Sequence, residues 1–243
     1  AFAEGAFAPD DTWRLSFDGG FASDDSYLKT FKIEDAGVLR NQIALEGFWR
    51  EAYVRFGAFG VQDLRDNASL NDTPFAAPEV LVALLGAPGP LGNAFFDADA
   101  RVLGRESGTD GQSASATIGW RAPFVTGSGH RIDLEASLRS DVYNTSDGAD
   151  LGAGGENTVA RGVPRVVAGW RYPLIQQNSW GALVVEPRLQ LVANPDDARN
   201  RDIPNEDSQS FQFDETNLFD VNRFSGYDLS EGGQRFNVGG RAT

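Results

Sequence analysis

The chain has 243 residues, 35 acidic against 21 basic side chains, a formal net charge of −14, one histidine, and neither cysteine nor methionine. Such acidity argues against a nucleic-acid partner, which calls for a basic face, and the lack of cysteine removes thiol catalysis, cysteine zinc sites and disulfides. With no methionine and no basic-apolar-small leader at Ala1, the sequence predicts a fragment or processed product of a longer chain.

The first periodic element sets Trp13, Leu15 and Phe17 against Arg14, Ser16 and Asp18, the period-two pattern of a β-strand with one apolar face. A long polar stretch, 23–37, follows. Ile43, Leu45 and Trp49 then lie opposite Arg40, Gln42 and Glu46, a tight turn is predicted at 47–52, and Val54, Phe56 and Ala58 alternate with Arg55. After a second long loop at 67–78 comes the longest charge-free run, 80–96, which Pro88, Pro90 and three glycines interrupt. It falls short of the roughly 20 apolar residues a spanning helix needs.

Further on, Ala114, Ala116, Ile118 and Trp120 oppose Ser113, Ser115, Thr117 and Arg121. A W-R-x-P pattern occurs at Trp120–Pro123 and again 50 residues later at Trp170–Pro173. Proline cannot donate to a ladder, so each is expected to close a strand at a turn. A second tight turn is predicted at 126–129. Beyond it Ile132, Leu134, Ala136, Leu138 and Val142 face one way, with Arg131, Asp133, Glu135, Ser137, Arg139 and Asp141 facing the other. Residues 143–162 and 194–223 are long loops rich in Gly, Asp and Asn. Leu189 and Leu191 oppose Glu186, Arg188 and Gln190, and Phe236 and Val238 oppose Arg235, Asn237 and Arg241. The whole reads as an all-β antiparallel meander of about 10–11 long strands in a single domain, 1–243.

Alternation alone fits two architectures. In a soluble secreted sandwich, of a kind that binds or cleaves carbohydrate, the apolar face is a core. In an outer-membrane barrel it meets lipid and the charged face lines the lumen. Long strands, short turns alternating with long polar loops, and small residues on the apolar faces favour the barrel, with the Trp of each W-R-x-P pattern placed where an interfacial girdle lies. Lys29 and Lys32 are the only lysines. The arginine bias reflects either a GC-rich genome or Arg–carboxylate pairs in a polar interior.

Catalytic chemistry is sparse, and no enzyme activity and no cofactor are expected. His130 has no second histidine or nucleophile motif beside it and reads as structural or exposed. Gly152–Gly155 (GAGG) reads as flexibility, and with 35 carboxylates no glycosidase pair is nominated. Asp196, Asp197, Asp202, Asn205, Glu206 and Asp207 are hard oxygen ligands for calcium, yet their spacing fits no EF-hand and Arg199 and Arg201 intervene. A solvated or arginine-paired loop is the preferred reading, and no metal site is assigned. Three N-x-[ST] triplets, at 67–69, 71–73 and 144–146, carry no weight without a eukaryotic secretory context.

The strongest local signal is 204–233, too polar for a membrane strand and too aromatic for a linker. Its Phe211, Phe213, Leu218, Phe219, Phe224 and Tyr227 predict an ordered insertion, 194–233, that caps or plugs a lumen or forms a partner surface. The run Glu186-Pro187-Arg188, then Asn205-Glu206-Asp207-Ser208, Phe213-Asp214, Thr216-Asn217-Leu218-Phe219, Asn222-Arg223-Phe224-Ser225-Gly226-Tyr227-Asp228 and Glu231-Gly232-Gly233 resembles the central barrel of the LPS-assembly (LptD, organic solvent tolerance) family. The stretch 12–31 resembles an earlier hairpin of the same family. Leu229 departs from the family pattern, which commonly has Arg there, so an ion pair at that position does not carry over.

The resemblance implies a section of a large barrel, incomplete in this chain, that inserts lipopolysaccharide into the outer leaflet of a Gram-negative outer membrane. It implies as partners lipopolysaccharide, outer-membrane lipids, an LptE-like plug lipoprotein, and a periplasmic Lpt bridge reached through an N-terminal domain not included here. It marks Asn205, Glu206, Asp207, Asp214, Asn217, Phe219, Arg223, Phe224, Gly226, Tyr227, Asp228, Glu231, Gly232 and Gly233 as a structural or partner-contact loop. A general porin keeps the barrel without this loop block.

Overall fold

The computed structural model describes residues 1–23, 38–64, 75–105, 110–146, 157–179, 181–196, 202–203, 205–208 and 216–243. Twelve strands follow in chain order: β1 (Phe2–Phe7), β2 (Trp13–Gly20), β3 (Val38–Phe48), β4 (Ala52–Asp63), β5 (Phe75–Leu85), β6 (Asn93–Gly104), β7 (Asp110–Val125), β8 (Arg131–Ser146), β9 (Asn157–Arg171), β10 (Leu174–Asn178), β11 (Gly181–Asn194) and β12 (Gly233–Ala242). They form one sheet in which sequence neighbours pair, β9 and β10 both lie against β11, and β12 takes the other side of β11. Among the described residues β1 pairs only with β2, and β12 only with β11. By contact the chain divides into two compact units.

Twelve strands stand against an expected total of about 10–11, and β10 among them has a simple physical origin. Arg171 pairs with Arg188 and Leu174 with Val185, so β10 continues the alignment of β9 along β11 without a slip. Only Tyr172 and Pro173 interrupt the line, and Tyr172 N still donates to Pro187 O at 3.2 Å. Neither W-R-x-P proline is a turn residue. Pro123 lies inside β7, and the chain runs on past Pro173 to Asn178.

Within the first unit, β1 to β4 and most of β5 pair as successive hairpins. Leu15 opposes Leu45, which opposes Phe56, and Phe56 opposes Val80, making an apolar row across four strands. On the other face Arg14 opposes Glu46 and Glu46 opposes Arg55; Tyr53 Oη donates to Glu46 Oε1 at 2.8 Å, and Arg55 is ion-paired with Glu79. A bulge sets Ala77 and Pro78 together against Ala58, and proline's missing N–H makes that the natural place to break the ladder. A small buried cluster of Ala22, Leu39 and Leu64 closes one end, where the Gln62 amide both donates to Ala22 O and accepts from Ala22 N.

The polarity of the sheet is inverted relative to a water-soluble sandwich. Leu191 faces Phe236 and Leu189 faces Val238 on β11 and β12, and Leu191, Phe236 and Val238 are 54%, 62% and 58% exposed. Directly behind them Asn237 Nδ2 donates to Gln190 Oε1 at 2.8 Å, and Asn237 is 7% exposed. Ile118, Leu134, Leu138 and Val166 are likewise exposed, while Asp141, Arg161 and Ser115 are buried. An apolar surface this extensive on single-sided strands is the pattern of a barrel wall and not of a sandwich core. The sandwich reading, which needs these faces in a core, is not favoured.

Connections of 49–51, 86–92, 126–130 and 179–180 alternate with longer ones at 21–37, 64–74, 147–156 and 195–232; 8–12 and 105–109 are the same length and break the contrast. Aromatic side chains gather at the short-connection ends of their strands. Trp13 meets Trp49 edge-on at 5.3 Å, and Trp120 Nε1 donates to Leu91 O at 2.8 Å. His130 stacks on Tyr172 at 4.2 Å and accepts from Trp170 Nε1 at 3.3 Å, which gives the lone histidine a structural place. No helix among the described residues is long and apolar enough to cross a membrane, and strands are not subject to that test.

Candidate functional site

The described parts of the connection 195–232, chiefly 205–208 and 216–231, lie against the polar face of β8, β9 and β11. Gly239 shows how far they reach. A Cβ there would come within 3.0–3.1 Å of Leu218 and Phe219, so the missing side chain makes room for the loop tip. Gly239 lies six residues along β12 from Gly233, where the loop rejoins the sheet, and at 3.3–3.4 Å per residue that is about 20 Å down the strand. Gln190 Nε2 donates to Phe219 O at 2.8 Å and Arg188 lies under the Phe219 ring at 6.0 Å, which fixes the tip against β11.

Two short segments of the loop clasp each other. The Asp228 carboxylate accepts from Glu206 N at 2.7 Å and Asp207 N at 3.0 Å. In return the Asp207 carboxylate accepts from Tyr227 N and Asp228 N at 3.0–3.1 Å. Asn205 Oδ1 accepts from Ser208 N at 2.9 Å, and Ser208 Oγ accepts from Leu229 N at 3.0 Å. Gly226 has φ +74° and a Cβ on it would sit 2.4 Å from Asp207 Oδ1, so glycine is required twice over. Each amide-to-carboxylate bond is charge-assisted and contributes about 1.5–3 kcal/mol. The clasp explains physically why Asn, Asp and Ser in one segment accompany Gly, Tyr and Asp in the other.

The clasp rests on wall arginines. Arg139 Nη2 on β8 donates to Tyr227 O at 2.6 Å and its guanidinium lies 5.5 Å from the Tyr227 ring. Arg161 on β9 donates to Asp228 O at 2.9 Å and Tyr227 O at 3.2 Å. Asp228 and Ser230 are each 1% exposed beneath this contact.

A second anchor centres on Glu231. Arg223 Nε donates to both of its carboxylate oxygens, at 3.0 and 2.9 Å, and Arg223 Nη2 also bonds it; Arg235 Nη1 on β12 donates to Oε2 at 2.8 Å. Asn222 Oδ1 accepts from Glu231 N, and Asn194 Nδ2 donates to Glu231 O. The hydrogen bonds to Glu231 raise the Arg223 guanidinium above its ordinary value. Burial pushes the Glu231 carboxyl up, but the Arg223 hydrogen bonds and the nearby Arg235 and Arg223 charges outweigh it, and the net shift is down. Arg235 also donates to Val221 O at 2.6 Å and so ties the loop's return to the strand.

The structure brings most of the sequence-marked residues into this one assembly. Asn205, Glu206, Asp207, Gly226, Tyr227 and Asp228 form the clasp, Arg223 and Glu231 the second anchor, and Phe219 the tip. Asn217 O accepts from Asp220 N at 3.1 Å in the turn at the tip. Phe224 contributes a carbonyl to Asn222 Nδ2 and is half-buried; Gly232 is half-buried, and Gly233, at φ +87°, opens β12. Asp214 lies outside the described residues. Leu229 contributes only its backbone, to Ser208 Oγ and Asn222 Nδ2, so no ion pair is needed there.

Ser208 and Asn222 stood in the motif without being marked as loop contacts, and the sequence reading missed Ser230 and the roles of the wall partners Arg139, Arg161 and Arg235. The charged face of β8 and β9 was the available signal, but it names no partner. Of the calcium candidates, Asp197 lies outside the described residues, Asp207 is engaged with backbone amides, and no group of three or more metal-ligating side chains occurs among the described residues.

Two comparisons bear on identity. No curated protein matches the chain. The family model for LptD, described as LPS transport system D, matches residues 1–243.

Proposed function

We propose, from the premise that this chain belongs to the LptD family, that its strands form a section of barrel wall in a Gram-negative outer membrane and that the folded-back loop plugs the lumenal side of that wall. The family is a transport and assembly family, and the chain has a role in LPS transport at the outer membrane. The observation that supports the wall reading is the inverted polarity: exposed Leu191, Phe236, Val238 and Ile118 on one face, buried Asn237 and Arg161 on the other, where Asp228 of the loop is buried too. The aromatic pairs at the short-connection ends suit the periplasmic headgroup level.

As partners we assign lipopolysaccharide, outer-membrane lipids, a plug lipoprotein of the LptE kind and the periplasmic Lpt bridge. The polar face supports this reading. Its Arg–carboxylate pairs and main-chain carbonyls make a hydrophilic surface along which saccharide passes, while acyl chains keep to the apolar side. The transfer makes and breaks no covalent bond, so no catalytic constellation is required of the site.

The test is complementation. A full-length protein carrying this section, expressed in a Gram-negative host depleted of its own LptD, is expected to restore lipopolysaccharide at the cell surface. Replacement of 205–231 by a short Gly/Ser linker should leave barrel strands in place but admit large antibiotics. Surface lipopolysaccharide that stays absent with the unaltered protein folded in the membrane contradicts the proposal.

A further inference from the structure

A cavity of about 260 Å³ lies on the polar side of β7, β8, β9 and β11, with Phe219 of the folded-back loop among its walls. Arg121 donates through Nε and Nη2 to Glu135 Oε2 at 3.0 and 2.8 Å. Arg188 is paired with Glu186. The third pair is loose: Arg171 Nε stands 3.6 Å from Asp133 Oδ2 and has no hydrogen-bond partner. The Arg121 and Asp133 side chains are 51% and 45% exposed, so a ligand entering from the polar side reaches them.

Charge decides the class of ligand. Three arginines and two carboxylates, Asp133 and Glu135, line the cavity, and Glu186 from outside the lining neutralises Arg188, so an anion gains little net attraction there and at Arg121 or Arg188 would have to break an existing pair. Hydroxyl groups both donate and accept, and therefore bridge a guanidinium and a carboxylate without breaking either. The loose Arg171–Asp133 pair is the place for such a bridge, and the Phe219 ring offers an apolar surface to the C–H face of a ring. The volume lies just below the roughly 300 Å³ at which drug-sized sites begin, which suits one ring and excludes a bundle of acyl chains.

We propose that this cavity is a saccharide subsite that takes one neutral sugar ring of the carbohydrate part of lipopolysaccharide. The proposal rests on the transport reading above and names the part of the substrate that the site recognises.

The experiment is calorimetric titration of the full-length protein in detergent with dephosphorylated, lipid-free core oligosaccharide, with inorganic phosphate as competitor. Asp133→Asn and Phe219→Ala are compared with the parent after each is shown folded by heat-modifiable migration. The expected result is saturable binding, weakened about tenfold (1.4 kcal/mol) in each variant and unaffected by phosphate. Absence of binding to the parent, or binding by both variants as tight as the parent's, overturns the proposal. Displacement by phosphate at equal concentration also overturns it, since the site is then an anion site. A parent that restores surface lipopolysaccharide in cells yet does not bind the oligosaccharide overturns the subsite alone. Failure to restore surface lipopolysaccharide overturns the transport reading itself.

Discussion

Asp207 and Asp228 each hold the backbone of the segment that carries the other, through two amides apiece. Neither carboxylate reaches its target unless both segments are in place, so the clasp closes cooperatively or not at all. Replacing either Asp by Asn keeps an acceptor oxygen but removes the charge, and costs about 1 kcal/mol per bond. Hydrogen exchange at the amides of Glu206, Asp207, Tyr227 and Asp228 is expected to speed up by about ten- to a hundredfold in Asp207→Asn or Asp228→Asn. Exchange in β11 should not change. In the double variant the loss should be smaller than the sum of the two single losses, because either change alone opens the shared clasp.

Gly226→Ala is expected to open the same clasp by a different route. The positive φ costs about 1 kcal/mol for a residue with a Cβ, and the contact with Asp207 Oδ1 adds to it. Limited proteolysis of the folded protein should cut within 205–231 faster in this variant, while Gly162→Ala, where a Cβ meets nothing within 4 Å, should match the parent.

The Glu231 anchor predicts a pH response. Its carboxyl lies below the ordinary value in the folded loop, so its stabilising contribution is full above the unfolded value of about 4.3. That contribution is lost as pH falls through the folded value. Acidification from neutral to below about 4 should therefore release the loop before the strands lose structure, seen as rising proteolysis at 216–231 with unchanged β-sheet circular dichroism. Glu231→Gln should flatten this response and weaken the loop at neutral pH, because two partly buried guanidinium groups lose their counter-charge.

How much of this was legible in the sequence differs by level. Period-two alternation located β2, β3, β4, β7, β8, β11 and β12, because a strand shows its two faces in order along the chain, and did not pick out β1, β5, β6, β9 or β10. It did not say which face meets solvent, since sandwich and barrel share the pattern; the exposure of Leu191 and Phe236 beside a buried Asn237 decides that. The motif residues 205–208 and 226–228 stood out, but the exchange of amides between Asp207 and Asp228 spans about 20 residues of sequence. No local rule of spacing pairs residues that far apart. Pro173 signalled a break and not its outcome, because β11 carries the alignment across the gap.

The outward face makes a further prediction. Ile118 is 60% exposed in the middle of β7, and Ile118→Arg is expected to destabilise the folded protein in bilayers by about 2–4 kcal/mol. Urea unfolding in liposomes measures it. Ser137→Arg, on the charged face of β8, should cost far less.

The central claim is that the apolar faces meet lipid while the charged faces and the folded-back loop share the opposite side. This chain has no cysteine, so single cysteines can be placed along β8 without background from it and labelled with nitroxide in the full-length protein in bilayers. The measurement is collision with dissolved oxygen against collision with a water-soluble nickel complex at 132, 134, 136 and 138 and at 133, 135 and 137. The account predicts oxygen-rich, nickel-poor readings at the even positions and the reverse at the odd ones. Even positions shielded from both reagents, as in a protein core, would contradict it.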